Sequence, residues 1–328
     1  MSDPVISIII PVYNAEQFIK RCLLSILNQS FQHYEIICVN DCSPDNSQAI
    51  IDGVSPLFNG RLHTITNEGN LGGGASREKA LRIACGQYVI FIDSDDYIAN
   101  DYLEVYYRKA VEDGTDVVVG GFTKDIDGRL VRHSPSRGPW CLTTYSISCA
   151  KLYKRSFLIE HDIRYSNIRC GEDIFFGMCL LAEKASYSII EYYGYHYFFN
   201  VGSTTNSVTP NQNMERGIST IFDQFLNRYD PNLLDLTTLK VIEYTYLANM
   251  LNALLVYGHG CGIFQMKDKI AFFHNDLKEK FPHYLSNPYL NPFKAKGQTA
   301  KIRFCVSAVC ALAKIHADKL FFFAVSIL

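Results

Sequence analysis

Four runs of apolar and aromatic residues alternate with helical patterns at the start of the chain. They are residues 5–12, 34–39, 62–66 and 88–92, and the first three are followed by turn residues and a helical pattern. An uninterrupted apolar run of this length is typical of a strand that is buried on both faces of a parallel sheet. Repeated alternation of such strands with helices predicts a parallel, doubly wound α/β sheet.

The chain is long enough for one large domain and a smaller region. Its 328 residues are 48% hydrophobic and 20% charged, a globular composition that gives no sign of disorder. Segments 151–163 and 173–184 look helical, and 187–199 looks like an aromatic strand or strand pair. We therefore expect an α/β domain over residues 1–210 and a mainly helical C-terminal region over residues 211–328.

Charge and cysteine content limit which binding partners and which cellular compartment we expect for this protein. The net charge is −2 with lysine and arginine spread thinly, so no nucleic-acid partner is expected. The 11 cysteines lack paired CxxC motifs, which indicates reduced thiols in a cytoplasmic protein. Residues 1–12 do not look like a signal peptide, and no run reaches the roughly 18 apolar residues of a membrane-spanning helix.

Carboxylates follow the fourth apolar run directly, in the segment Asp93-Ser94-Asp95-Asp96. In an open α/β sheet, ligands bind beyond the carboxyl ends of the strands, so these acids are expected at the ligand crevice. Acids this close repel each other, and a divalent cation that prefers oxygen ligands, Mg²⁺ or Mn²⁺, relieves that repulsion. Asp93 and Asp95 are therefore a candidate metal site. The alternative is a turn in which Asp96 or Asn100 caps the next helix.

Two further strand ends are predicted to open into the same crevice. Tyr13 follows the first run and offers a ring for stacking, and Asp41 follows the second and could accept a hydrogen bond from a nucleobase. Taken singly, a strand-end aromatic and a turn residue explain them equally well. The glycine-rich turn 67–74 lets backbone approach a ligand closely, and Arg77 after it could pair with Asp93 or a phosphate, or simply face solvent.

A second acidic pair, Glu172-Asp173, stands at the start of an amphipathic helical pattern. Acids at a helix start often only complement the helix dipole. The functional alternative is a general base, which requires a carboxylate that is free of metal and faces an acceptor hydroxyl. His196, in an aromatic segment, is either a packed core residue or a metal ligand together with Asp95.

Five segments together resemble the inverting glycosyltransferases of family 2, which have the GT-A fold. The segments are VISIIIPVYNAEQFIKRCLLSILNQS, VNDCSPDNS, NEGNLGGGASRE, GQYVIFIDSDDY and GEDIFF, in the family's order over about residues 5–205. The resemblance implies a Rossmann-like, mostly parallel GT-A domain. It implies Mn²⁺- or Mg²⁺-dependent transfer of a sugar from a nucleotide sugar, UDP-linked, to a hydroxyl of a saccharide or lipid-linked acceptor. Such transfer belongs to the synthesis of surface polysaccharide.

The matching positions imply roles for individual residues. Asp173 matches the catalytic base, with Glu172 beside it. Asp95 matches the residue that binds the metal and the diphosphate, and Asp93 the residue that faces the ribose. The positions that match the family's nucleotide-sugar site are Pro11, Tyr13, Glu16, Asp41, Arg77, Asp93 and Ser94.

Two positions depart from the family pattern. Cys42 stands where the family usually has glycine, so that turn needs a conformation that cysteine tolerates. Phe198 stands where many relatives have a basic residue, close to the Gly-Ser turn at 202–203. Neutralisation of the departing diphosphate is then expected to depend more on the metal and on His196.

Two other functions fit an α/β nucleotide-sugar site. A sugar-nucleotide nucleotidyltransferase would carry a glycine-rich loop and a basic residue after the first strand, where this chain has Tyr13-Asn14-Ala15-Glu16. A non-catalytic nucleotide-sugar-binding scaffold is expected to lack Asp95 or Asp173, and both are present. Residues 122–148, which look like a loop or lid, and the region after 205 are expected to select the acceptor.

The C-terminal segment 301–328 alternates basic with apolar residues and ends in FFFAVSIL. As a helix it would either pack on protein, including a second subunit, or lie on the inner face of a membrane as a peripheral anchor. The sequence leaves both open, so the expected partners include a homo-oligomer or a membrane surface beside the donor and acceptor.

Overall fold

The computed structural model describes residues 3–144, 147–166, 168, 171–200, 213–315 and 317–327. The chain forms two compact units. The first comprises residues 1–135 and 146–200, and the second comprises residues 136–145 and 201–328. The second unit thus takes in a short segment that the sequence analysis assigns to the first domain. A boundary near 210 stays a prediction, since residues 201–212 lie outside the described residues.

The first unit is built on two sheets. Its strands are β1 (Ile6–Val12), β2 (Tyr34–Asn40), β3 (Leu62–Thr66), β4 (Tyr88–Phe91), β5 (Tyr97–Ile98), β6 (Val117–Val119), β7 (Phe122–Ile126), β8 (Arg129–His133), β9 (Lys151–Lys154), β10 (Tyr187–Ile189) and β11 (Tyr195–Phe198).

The central sheet has the order β10-β6-β9-β4-β1-β2-β3. β9 runs antiparallel between β4 and β6, and the other neighbours pair in parallel. Every residue of β2 and β4 is buried, as the apolar runs predict for strands covered on both faces. The predicted mostly parallel, Rossmann-like sheet is confirmed.

The second sheet has the order β5-β11-β7-β8 and begins directly after the acidic turn that follows β4. Two expectations about this unit are wrong. Residues 122–133 form the β7–β8 hairpin of the second sheet instead of a loop, and residues 151–154, expected to be helical, form β9 of the central sheet. The strand partners of β9 are distant in sequence, so a local pattern does not reveal them. β7 pairs locally with β8 across the turn at 127–128 and also with the distant β11.

Helices cover the central sheet and make up most of the described second unit. They are α1 (Ile19–Leu27), α2 (Ser47–Val54), α3 (Gly73–Ile83), α4 (Tyr102–Asp113), α5 (Trp140–Thr143), α6 (Arg155–Glu160), α7 (Glu172–Ala182), α8 (Met214–Arg228), α9 (Leu236–Asn252), α10 (Ile263–Lys280), α11 (Ala300–Lys314) and α12 (Asp318–Ile327). The predicted helical C-terminal region is confirmed.

Aromatic packing holds α5 in the second unit. The Trp140 ring packs edge-on against Tyr244 and Tyr289, with centroids 5.3 Å and 4.9 Å away. Part of the segment expected to be a lid is therefore buried core. Across the described residues, no helix is both long enough and apolar enough to cross a bilayer.

Candidate active site

The carboxyl ends of neighbouring parallel strands place several of the predicted site residues along one edge. β1 lies between β2 and β4, with Val12 opposite Asn40 and Ile9 opposite Phe91. The residues that follow these strands therefore emerge side by side, as expected for the ligand crevice of an open α/β sheet. Tyr13 and the turns that begin at Asp41 and Asp93 share this edge.

The acidic segment after β4 is a tight turn held from several sides. The Asp96 amide donates to the Asp93 carbonyl at 3.0 Å. Asp96 is buried and accepts hydrogen bonds from the Phe198 amide at 2.8 Å and from the Tyr195 hydroxyl. Asp96 therefore anchors β11 and does not cap α4, whose N-cap residue is Asp101.

Arg21 of α1 supports the same turn. Its Nη2 donates to the Asp95 carbonyl oxygen at 2.7 Å. The guanidinium carbon lies 4.1 Å from the Phe198 ring centroid and 4.8 Å from that of Tyr97, so the group is in cation–π contact with two aromatic rings. These contacts fix the position of the Asp95 backbone.

Electrostatics at the turn favour a cation. Burial and the neighbouring Asp93 raise the pKa of Asp95 to about 6, and burial with the charges of Asp93 and Asp95 also raises the pKa of Asp96. Among the described residues, no three His, Cys, Asp or Glu side chains are grouped to hold a metal ion. The described side chains therefore do not form a closed protein site with three such ligands.

Asp41 has a structural task that the sequence did not reveal. It is 3% exposed. Its Oδ1 accepts from Asn67 Nδ2 and the Leu71 amide, both at 2.8 Å, and its Oδ2 accepts from the Gly72 amide at 2.7 Å. A carboxylate has about four acceptor positions, so the glycine-rich turn occupies three of them. Asp41 shapes that turn, and a nucleobase contact would use the remaining position.

The other predicted donor-site residues lie near the first two strand ends. Tyr13 is 49% exposed, and Pro11 lies within β1 opposite Val39. Glu16 Oε2 accepts from the Asn46 amide at 3.0 Å and from its side chain at 3.1 Å, which ties it to the start of α2. Cys42 has φ of +58°, the left-handed conformation that glycine adopts without strain.

Arg77 of α3 connects the acidic turn to the second acidic pair. The predicted pairing with Asp93 is present, with Arg77 Nη2 2.5 Å from Asp93 Oδ1. Arg77 Nη1 lies 4.0 Å from Glu172 Oε1, and the arginine side chain is only 7% exposed. The buried guanidinium thus brings carboxylates from two distant segments into one cluster. Ser94, which follows Asp93 in the chain, is also buried.

The second pair begins α7, after Gly171 in a left-handed conformation. Asp173 Oδ1 accepts a hydrogen bond from Ser148 Oγ at 2.5 Å. Burial raises the pKa of Asp173 despite opposing effects of Arg77 and Ser148. Burial and the adjacent Asp173 raise the pKa of Glu172 to about 7. The positive end of a helix dipole stabilises an ionised carboxylate and so lowers its pKa, whereas both of these acids have a raised pKa. The explanation by the dipole alone is therefore disfavoured.

The raised pKa of Glu172 predicts a pH-dependent cost to stability. The carboxyl binds its proton more tightly in the folded protein, with a pKa of about 7 against an ordinary 4.5. The contribution of Glu172 to the free energy of unfolding therefore falls by about 3 kcal/mol as pH rises from below 4.5 to above 7. Glu172→Gln is expected to raise the free energy of unfolding at pH 8 and to change it little at pH 5. Urea denaturation at both values measures this; a pH-independent difference would contradict it.

His196 does not lie where a metal ligand is needed. Its ring stacks on Tyr97, with centroids 4.5 Å apart and planes 5° from parallel. Side chains alternate along β11, so His196 faces away from Tyr195, which bonds Asp96. His196 instead lines a groove of about 660 Å³ with Lys20. We therefore withdraw His196 as a metal ligand and as a neutraliser of the diphosphate.

Comparison with known proteins places the chain in a family. The model of glycosyl transferase family 2 matches residues 7–178, more than half of the chain. The chain belongs to glycosyl transferase family 2. The resemblance inferred from the five segments is confirmed, and the nucleotidyltransferase alternative has no support.

A curated relative and two solved structures are similar to this chain. The poly(ribitol-phosphate) β-glucosyltransferase of Bacillus spizizenii is 36% identical over 203 residues, 58% of this chain and 32% of that protein. Staphylococcus aureus TarS 1–349 in complex with UDP-GlcNAc has a TM-score of 0.73 at 21% identity, covering 98% of this chain and 90% of that one. Mannosyltransferase PcManGT of Pyrobaculum calidifontis, in complex with GDP-Man and Mn²⁺, has a TM-score of 0.51 at 14% identity, covering 96% and 89%. These structures show the shared fold.

Sequence reasoning missed supporting residues of the candidate site. Arg21 contacts the acidic turn and Ser148 contacts Asp173. Ser148 lies outside all five segments, and Arg21 was not singled out within the first of them. The available signal for Arg21 was its place within the first of the five segments that resemble family 2. Phe198, which stands where many relatives have a basic residue, contacts the Arg21 guanidinium. The predicted Gly-Ser turn at 202–203 lies outside the described residues.

Proposed function

We propose that this chain is a metal-dependent inverting glycosyltransferase that transfers a sugar from a UDP-sugar to a hydroxyl of a saccharide or lipid-linked acceptor. The observation that carries the proposal is the Arg77 bridge, which brings the acidic turn and the Glu172-Asp173 pair into one cluster. The names of the relatives support a role in cell-surface polysaccharide synthesis, and the TarS complex supports a UDP-linked donor.

In the proposed donor site, the nucleotide lies across the ends of β1 and β2. The exposed Tyr13 ring offers a stacking surface for the base, with Pro11, Glu16 and the Asp41-shaped turn around it. Asp93 and Ser94 face the ribose and diphosphate. Asp95 would hold Mn²⁺ or Mg²⁺ together with diphosphate oxygens, and the bound ion would stabilise negative charge on the departing nucleoside diphosphate.

The proposed reaction is a single displacement. Asp173 takes the proton of the acceptor hydroxyl while the acceptor oxygen forms its bond to C1 of the sugar. The bond between C1 and the diphosphate oxygen breaks on the opposite face, so the anomeric configuration inverts. Burial raises the pKa of Asp173, which makes the carboxylate a better proton acceptor near neutral pH.

A donor panel tests the proposed function. The purified protein is incubated with Mn²⁺ and UDP-glucose, UDP-N-acetylglucosamine, UDP-galactose or GDP-mannose, and binding and release of nucleoside diphosphate are measured. We expect tight, metal-dependent binding of a UDP-sugar and slow hydrolysis to a sugar of inverted configuration, with water as acceptor. Binding without release in the presence of saccharide acceptors would instead indicate the non-catalytic scaffold.

The last helices carry a surface suited to a membrane. Along α11 and its C-cap residue Ile315, the exposed residues Phe304, Ala308, Ala311 and Ile315 recur at helical spacing. Leu320 on α12 is 73% exposed. From residue 294 to 327 the sequence has five lysines and one arginine but a single acid. That acid, Asp318, is buried and pairs with His274 at 2.7 Å. We propose that this exposed apolar and basic surface binds anionic lipid headgroups at the inner face of the membrane.

Vesicle flotation tests the membrane surface. The full chain is expected to float with phosphatidylglycerol vesicles and not with phosphatidylcholine vesicles. The double variant Phe304→Ser, Leu320→Ser should reduce recovery at least about tenfold, because each exposed apolar side chain contributes about 1.5–3 kcal/mol when buried in lipid. Leu130→Ser, which removes a 56% exposed side chain from β8, is the matched control. Equal recovery of all three proteins, or loss of a dimer in light scattering instead, would contradict the proposal.

A further inference from the structure

We infer that Ser148 is a positioning residue for Asp173. Its hydroxyl binds one carboxylate oxygen, Oδ1, and leaves Oδ2 as the oxygen that receives the proton of the acceptor hydroxyl. The inference rests on the proposed function in one respect, the role of Asp173 as the base. It adds a residue that lies outside all five of the segments that resemble family 2.

The contact itself is short and buried. Ser148 Oγ donates to Asp173 Oδ1 at 2.5 Å, and Ser148 is 3% exposed. Among the described residues, no hydrogen bond is made to Asp173 Oδ2. A hydrogen bond to an ionised carboxylate is about twice as strong as one between neutral groups, so this contact limits rotation of the carboxylate. The two oxygens are therefore not equivalent.

The segment that carries Ser148 is itself fixed to the sheet. Ala150 has φ of +55°, which places a sharp turn immediately before β9. Hydrogen bonds from separate elements hold the carbonyl groups of this turn, so the hydroxyl has a defined position independent of α7. The bonds are Tyr153 Oη to Ser148 O at 2.9 Å, Tyr106 Oη to Ala150 O at 2.8 Å, the Gly120 amide to Ala150 O at 3.1 Å, and Lys151 Nζ to Ile147 O.

Ser148 also influences the protonation of Asp173. Burial raises the pKa of Asp173, and the charge of Arg77, the Ser148 hydrogen bond and the charge of Lys151 oppose that rise, while Asp93 adds to it. Loss of the hydroxyl is therefore expected to raise the pKa of Asp173 further. The charged and titratable groups around the carboxylate are Arg77, Asp93, Lys151, Glu172, Tyr153 and Tyr165.

Three variants separate positioning from general destabilisation. Ser148→Ala removes the hydroxyl, and Ser148→Thr retains one. Ser7→Ala is the matched control, because the buried Ser7 hydroxyl also donates to a carboxylate, Glu35 Oε1 at 2.6 Å, in the same unit. Thermal melting establishes that each variant is folded before kinetic measurements.

Two measurements are made on each folded variant. Carbon-13 NMR of labelled aspartate carboxyls, assigned with Asp173→Asn, follows the titration of Asp173 without requiring activity. Ser148→Ala is expected to shift the titration of Asp173 to higher pH. It is also expected to reduce kcat for UDP release about 10- to 100-fold and to leave donor KM unchanged, because the base is misplaced. The acidic limb of the plot of kcat against pH should also shift to higher pH. Ser148→Thr should restore both, and Ser7→Ala should change neither.

An unchanged Asp173 titration, or a shifted titration with kcat within about twofold of wild type, would overturn the positioning role. Failure of the proposed function looks different. In that case the wild type releases no UDP from any donor, or Asp173→Asn releases it as fast as the wild type, whatever Ser148→Ala does.

Discussion

Asp173→Asn is expected to lower kcat for sugar transfer by about 10³-fold or more and to leave donor affinity within about threefold. Asparagine has nearly the same shape, and its amide oxygen can still accept the hydrogen bond from Ser148. It cannot take a proton from an acceptor hydroxyl. Initial rates of UDP release and calorimetric binding of the UDP-sugar, measured on the same preparation, separate these two effects.

Glu104→Gln is the control for Asp173→Asn. Glu104 is also an acid in the first turn of a helix, α4, and its side chain is 41% exposed. If Asp173 only complemented the dipole of α7, the two variants would behave alike, with a small loss of stability and normal turnover. Normal turnover by Asp173→Asn would show that the base has been wrongly assigned.

Asp95→Ala is expected to abolish the metal-dependent part of donor binding. Asp95 is the one protein carboxylate proposed to hold the cation, so its loss should weaken UDP binding in Mn²⁺ by about 100-fold. Binding without Mn²⁺ should change little, because the remaining contacts involve the Tyr13 and Asp41 regions. Calorimetric titration of UDP with and without Mn²⁺ measures both.

Asp52→Ala removes an exposed acid from α2 and serves as the control for non-specific charge effects. It should bind UDP as the wild type does in both conditions. A variant lacking Asp95 that retained the full Mn²⁺ dependence of UDP binding would contradict the proposed metal site.

The first half of the fold could be predicted because its strands lie inside a parallel sheet. Burial on both faces forces continuous apolar runs, which are visible in the sequence of β2 and β4. The acidic turn could also be predicted, since a polar segment after such a strand must emerge at the sheet edge. Arg77 was identified for a similar reason, one turn into the helix after the glycine-rich turn.

Other features depend on contacts between distant segments. The four residues of β9 form a strand because β4 and β6 pair with them on both sides. His196 illustrates the problem of strand phase: an aromatic strand predicts alternation but not which side chains face the acids. Asp41 is held by backbone amides of a turn about 30 residues away along the chain, and backbone donors leave no mark in sequence.

The central claim is that one cluster contains both a cation held by Asp95 and a metal-free base, Asp173. Anomalous scattering from Mn²⁺ in crystals grown with UDP tests this claim most directly. We predict a single Mn²⁺ peak bound by the Asp95 carboxylate and by diphosphate oxygens at about 2.2 Å. Asp173 should lie outside that coordination shell, with Oδ1 on Ser148 and Oδ2 facing the acceptor side. Mn²⁺ bound by Asp173, or UDP bound away from the turn at 93–96, would contradict the account.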